Sequence, residues 1–193
     1  MLHTTFALAH KAGACAGRYQ HLAKVLGGIR AYGKDTPIPL TVVLEHNGLD
    51  DTLWALCCVL PEEAAARDKL ARLFACDCAE RVLPLFEKEY PEDKRPRKAI
   101  KVARLFAEGK ATTQELAAAR AAAWDAARAA VRDASRAAVR DAVRDVAWEA
   151  ARAAVRDAVA AAAWDAVWEA ARDAVRAAER TWQSQHLQDM LLA

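Results

Sequence analysis

Residues 124–134 read WDAARAAVRDA, residues 148–158 read WEAARAAVRDA, and residues 168–178 read WEAARDAVRAA. The copies start 24 and then 20 residues apart. They lie in a stretch, 110–193, that contains no Gly and no Pro and is more than one-third Ala. Gly and Pro are the strongest breakers and Ala is the best helix former, so this stretch reads as helix throughout. A single helix of that length would run roughly 125 Å. A compact chain of this size has a radius of gyration of only about 16 Å. The segment therefore folds back on itself or forms a long oligomeric rod. A unit of this period makes a helix of about 30 Å, the width of a small domain. About three antiparallel helices are expected, with turns near Asp145–Trp148 and Ala160–Trp164. A strict heptad is absent, and the recurring four-residue step drifts around a helix instead of holding one seam.

Upstream, Thr112-Thr113-Gln114-Glu115 fits a capping box, which places the start of the helical half. Every Gly and Pro lies at or before Gly109, and the first half reads as shorter helices. Apolar spacing predicts helices near 3–12 and 15–27, the second stopped by Gly27 and Gly28. Ala31–Thr36 is expected as a loop. Pro39 fits the first turn of a helix closed by Gly48, although Leu40–Leu44 also has the pattern of a strand. Asp50 or Asp51 is expected to cap the following helix. A helix over 62–83 is expected to kink or end at Pro84. A charged loop over Tyr90–Arg97 then leads to a helix carrying Ile100, Val102, Leu105 and Phe106, which ends at Gly109. The fold class is all-α: a helical bundle with an alanine-rich antiparallel helical repeat in its C-terminal half. Residues 1–193 read as one domain, with a short-helix half at 1–109 and an Ala/Trp/Arg repeat half at 110–193.

The formal net charge is +2, and residues 110–193 carry 12 basic and 12 acidic side chains. That balance gives no field to draw nucleic acid or an anionic membrane. No apolar run approaches the length of a membrane span. The first residues, MLHTTFALAHKAGACAG, lack the basic region and apolar run of a secretory signal. Five cysteines, an odd number, include an adjacent pair and a C-x-C, which is no disulfide framework. Reduced thiols and a cytoplasmic location follow as expectations.

Within the repeats an acid sits three residues before an Arg, as in Asp125–Arg128 and Glu149–Arg152. Such pairs are neighbours on a helix and give a neutralised, salt-laced surface. The six tryptophans fit core packing between alanine faces. A sharper reading places Trp148 and Trp168 beside Arg in a cleft that stacks a nucleotide base and holds its phosphate. His3, His10, His21, His46 and His186 show no zinc-protease spacing. Cys76 and Cys78 splay apart on a helix, so no metal site is expected. No phosphate-binding loop, dinucleotide fingerprint or nucleophile elbow is present. The chain reads as a non-enzyme with no catalytic residues and no cofactor.

Three stretches carry a resemblance. The first is Asn47-Gly48-Leu49-Asp50-Asp51 followed by Leu53-Trp54-Ala55-Leu56. The second runs from Phe74 to Pro84, FACDCAERVLP, then Phe86-Glu87 and Arg95-Pro96-Arg97-Lys98-Ala99-Ile100. The third is Ala178-Glu179-Arg180-Thr181-Trp182-Gln183. Together, over roughly residues 40–190, they resemble the immunity-protein family of bacterial polymorphic toxin systems, which is also common in phage genomes. Cys57-Cys58 depart from the polar residues expected there. The resemblance implies an all-helical protein that neutralises a toxin or defence effector by binding it, with a phage-encoded anti-defence protein as one version of that role. The motif residues carried over are Asn47, Asp50, Asp51, Asp77, Glu80, Arg81, Arg95 and Arg97. Their structural reading is caps and interhelical ion pairs, with Asp77 and Arg81, four apart, pairing together. The expected partner is a protein. A small anionic ligand, such as a nucleotide signal in an Arg/Trp-lined pocket, is the alternative. Neither nucleic acid nor membrane is an expected partner, and self-association into a homo-oligomer stays open.

Overall fold

Thr5 starts the first helix. Its Oγ1 accepts the Leu8 N–H at 3.0 Å, satisfying a backbone donor that has no partner within the helix. A computed structural model describes residues 1–126, 128–129 and 176–193. Ahead of Thr5, strand β1 (His3–Thr4) pairs antiparallel with β2 (Ile38–Pro39), His3 opposite Pro39 and Thr4 opposite Ile38. Thr4 also bridges to Val59, and its Oγ1 donates to the Cys58 carbonyl at 2.6 Å. The Glu63 carboxylate receives the His3 N–H at 2.6 Å and lies 2.7 Å from His3 Nδ1. Residues 3–4, expected as helix, are thus strand. Their backbone groups are used to tie three distant segments together.

Helices α1 (Phe6–Lys11), α2 (Ala16–Val25) and α3 (Ile29–Tyr32) follow. The short α3 takes the start of the expected 31–36 loop. Phe6 is buried and meets Tyr19 and Tyr32 edge-on, with centroids 5.4 and 6.0 Å away, geometry that suits the ring quadrupoles. Helix α4 (Leu40–Ala55) settles the ambiguity at 40–44 in favour of helix. Its first part closes at Gly48, as expected. The chain kinks there, with φ +82 and ψ −177, and helix resumes. That φ lies where a side chain is strained, so Gly suits the kink. Buried Thr52 donates its Oγ1 to the Gly48 carbonyl at 2.9 Å and closes the bend.

Two short helical turns, Leu56–Cys58 and Pro61–Glu63, lead into α5 (Ala64–Glu89). At Cys57-Cys58 the first side chain is exposed and the second buried. Pro84 does not end α5, which continues to Glu89. The ring sits on an exposed side, where water can reach the carbonyl that loses its donor. Helix α6 (Arg95–Ala107) returns antiparallel along α5: position 97 meets 87, and 104 meets 80 and 77. Gly109 ends it with φ +73.

Helix α7 (113–126) opens with the expected capping box. The Thr112 N–H donates to Glu115 Oε2 at 2.7 Å, and the Glu115 N–H donates to Thr112 Oγ1 at 3.2 Å. Helix α8 (176–192) brings the chain end back to its beginning. Leu187 and Leu191, 0% and 1% exposed, belong to the same core as Phe6, Ile38 and Leu40. The described chain is all-α apart from the two-stranded pair. The antiparallel repeat and its turns near 145–148 and 160–164 lie outside the described residues.

Candidate functional site

On α5, Phe74, Asp77, Cys78 and Arg81 recur at three- and four-residue steps and so share one helix face. On α8, Glu179, Trp182 and His186 do the same. The two faces meet. His186 Nε2 lies 2.6 Å from Asp77 Oδ2. Its ring stacks on Trp182, with centroids 4.9 Å apart and planes at 12°. It also stacks on Phe74, at 6.0 Å and 21°. One turn along, Arg81 Nε donates to Glu179 Oε2 at 2.7 Å, and its guanidinium lies 4.4 Å from the centre of the Trp182 ring. Arg104 reaches in from α6, with Nη2 2.5 Å from Asp77 Oδ1 and a second bond to Glu80.

These contacts make a clasp joining α5, α6 and α8. Burial works against the Arg104 charge, but its bonds to Glu80 and Asp77 outweigh that and raise its pKa. Burial pushes the Cys76 thiol up; Arg104 opposes this and Asp77 adds to it. Burial also raises Cys78, with Glu179 and Asp77 adding to it. Both sulfurs are therefore held as thiols, the unreactive form. The carboxylates of Asp77, Glu80 and Glu179 each hold a cation within the cluster. The arrangement is suited to locking helices in register, which presents a fixed surface at low ordering cost.

The other candidate residues fall in separate places. Asn47 Nδ2 donates to Asp51 Oδ2 at 2.8 Å and to the Arg18 carbonyl at 3.1 Å. Asp50 accepts from Arg180 Nη2 of α8 at 2.5 Å. That bond holds the Asp50 carboxyl below its ordinary value and raises Arg180. The structure gives neither aspartate the expected capping role. Arg95 forks onto Asp93 at 2.8 and 2.6 Å, and Arg97 onto Glu87 at 2.6 and 2.5 Å. The expected Asp77–Arg81 pair is not made, because Asp77 is shared between Arg104 and His186 and Arg81 turns to Glu179. Trp148 and Trp168 lie outside the described residues. The sequence reading missed Arg104 and His186 as partners of Asp77. The spacing of Glu179, Trp182 and His186 was the available signal for the α8 face, but nothing local says which helix it meets.

Among the described residues, no group of three His, Cys, Asp or Glu side chains is placed to hold a metal ion. No described helix is long and apolar enough to cross a membrane. A groove of about 710 Å³ between α5, α6 and α7 is lined by Arg72, Phe106, Arg120 and Trp124 among others.

No curated protein and no solved structure matches the chain. One family model does, over residues 63–190. That range begins at the end of the second helical turn and includes every residue of the clasp; the Asn47–Asp51 stretch lies before it. With two-thirds of its length so matched, the chain belongs to the family described as Imm-5 like putative immunity protein.

Proposed function

We propose that this protein neutralises a toxin or defence effector by direct, stoichiometric association and without turnover. The observation that carries this reading is the family match, which spans the clasp and the helices it fixes. In this reading Asp77, Glu80, Arg81, Arg95 and Arg97 act by holding the surface in shape, since each is engaged within the chain. The partner then meets side chains left outside. Leu85 is 72% exposed and Trp124 61% exposed, and Trp is a common anchor of protein interfaces. Trp148 and Trp168 belong to the same proposed contact set through the repeat. We further propose that residues 1–193 act as one domain, because α8 completes the N-terminal core. Five free thiols support a reducing compartment such as the cytoplasm. The test is copurification with the toxin encoded beside the gene, in bacterial or phage genomes. An equimolar complex and relief of toxicity are expected. A folded chain that neither binds the toxin nor relieves its effect contradicts the proposal.

A second reading rests on the groove. Arg72 lies 5.2 Å from the centre of the Phe106 ring, and Arg120 and Trp124 line the same space. These groups suit an anion with an aromatic base, such as a nucleotide. A nucleotide at a hundred times its dissociation constant should add about 2.7 kcal/mol of stability. Flat thermal shifts across mono-, di- and cyclic nucleotides remove this reading.

A further inference from the structure

Cys57 and Cys58 stand side by side in the turn Leu56–Cys58, and neither takes part in the clasp. Cys57 is exposed and Cys58 is buried. Cys58 is held by two neighbours: its S–H donates to the Ala55 carbonyl at 3.4 Å, and its Sγ accepts from Thr4 Oγ1 at 3.5 Å. The Cys57 side chain hydrogen-bonds to the Cys58 thiol as well, so the two sulfurs are within reach of each other. Burial raises the Cys58 thiol, the Thr4 hydroxyl opposes this, and a charge on Cys57 adds to it. Cys58 therefore stays protonated and unreactive while Cys57 faces solvent. An open thiol beside a shielded one is what a redox-sensing pair needs: the first meets the oxidant, and the second resolves the product.

We propose that Cys57 and Cys58 form a reversible internal disulfide when the chain meets a low-molecular-weight disulfide such as oxidised glutathione. The Cys57 thiolate attacks one sulfur of the oxidant, forming a mixed disulfide and expelling one thiolate. Cys58 then gives up its proton to water and attacks the Cys57 sulfur, which expels the second thiolate. The two protein thiols lose two electrons, the S–S bond of the oxidant takes them up, and the two protons released end on the expelled thiolates. Consecutive Cα atoms are about 3.8 Å apart, closer than the roughly 4.4–6.8 Å of ordinary disulfides, so this bond is strained and easily reduced. It suits a reversible switch better than a structural staple.

Oxidation removes the proton that Cys58 donates to Ala55 and draws its sulfur away from Thr4. The same turn holds strand β1: Thr4 donates to the Cys58 carbonyl and bridges to Val59, and the Leu60 N–H donates to the His3 carbonyl at 2.9 Å. The oxidised turn therefore loosens its hold on β1. Both cysteines precede residue 63, so this site is independent of the toxin-binding reading.

The test treats the full chain with oxidised glutathione and maps its tryptic peptides without reduction. Peptide 35–67 holds Cys57 and Cys58 and no other cysteine. It should lose two hydrogens, take up no iodoacetamide, and recover both thiols with dithiothreitol. Exchange of the Leu60 amide should quicken about tenfold in the oxidised chain and return on reduction. Cys58→Ala should stop at the glutathione adduct on Cys57. Cys57→Ser, a change at an exposed side chain, should leave Cys58 unmodified. Two free thiols in the wild-type peptide, a glutathione adduct that persists there, or a disulfide between chains overturns the proposal. So does unchanged Leu60 exchange in the oxidised chain.

Discussion

Asp77 on α5 and His186 on α8 meet at 2.6 Å across 109 residues of sequence. The imidazole that makes this contact stacks on Trp182 and on Phe74, so its position is set by packing as well as by the carboxylate. The contact is the polar counterpart of Leu187 and Leu191 entering the N-terminal core. The clasp fixes the angle of α8, and the leucines hold it down.

A double-mutant cycle should measure that coupling. Asp77→Ala leaves Arg104 its bond to Glu80 but takes the partner from His186. We expect Asp77→Ala and His186→Ala each to lower stability by about 1–3 kcal/mol. Together they should cost less than their sum by about 1 kcal/mol. Urea denaturation of the four proteins checks this; strict additivity would mean the pair is not coupled.

Leu187 and Leu192 should differ sharply. Leu187 is 0% exposed and Leu192 is 58% exposed. Leu187→Ala leaves a cavity and should cost about 2–5 kcal/mol. Leu192→Ala should change stability by less than about 0.5 kcal/mol. Melting temperatures of the two variants decide the matter.

Two glycines should respond with opposite signs. Gly48 sits at φ +82, and an added Cβ there meets nothing within 4 Å. Gly48→Ala is therefore strained by its backbone alone and should destabilise by about 1–2 kcal/mol. Gly17 lies inside α2 with equal space and no positive φ. Gly17→Ala should stabilise by about 0.5–1 kcal/mol. Denaturation midpoints report both.

The Asp50–Arg180 contact predicts an acid dependence. Its hydrogen bond to Arg180 lowers the Asp50 carboxyl from the ordinary 3.8. A depressed carboxylate contributes stability that is fully present above its unfolded value and is lost as pH falls through the folded one. Wild type should therefore exceed Asp50→Asn in stability at neutral pH, and the gap should close below 3.8. Both residues are exposed, so added salt should shrink the gap. Urea midpoints at the two pH values test this, and a gap independent of pH contradicts it.

What could be read from the sequence was local. The Thr112–Glu115 box is four consecutive residues whose groups satisfy one another, and it formed as read. Gly109 ended α6 for the same reason. Gly48 was legible as a break and closes the first part of α4; the bond from buried Thr52 to its carbonyl was not legible. Strand β1 is two residues long and exists only because residues 38–39 and 59 lie beside it. The α5 half of the clasp was legible from the FACDCAER stretch. Its pairing was not, because the i,i+4 rule favours Asp77 with Arg81 while the fold offers Asp77 two partners from other helices.

Hydrogen exchange of the α8 amides tests the return of the chain end most directly. The amides of residues 186–191 should exchange as slowly as those of the buried part of α4 near Thr52 and Ala55, through the same global opening. Exchange of 186–191 at the rate of an unstructured peptide, with α4 still protected, would contradict the account.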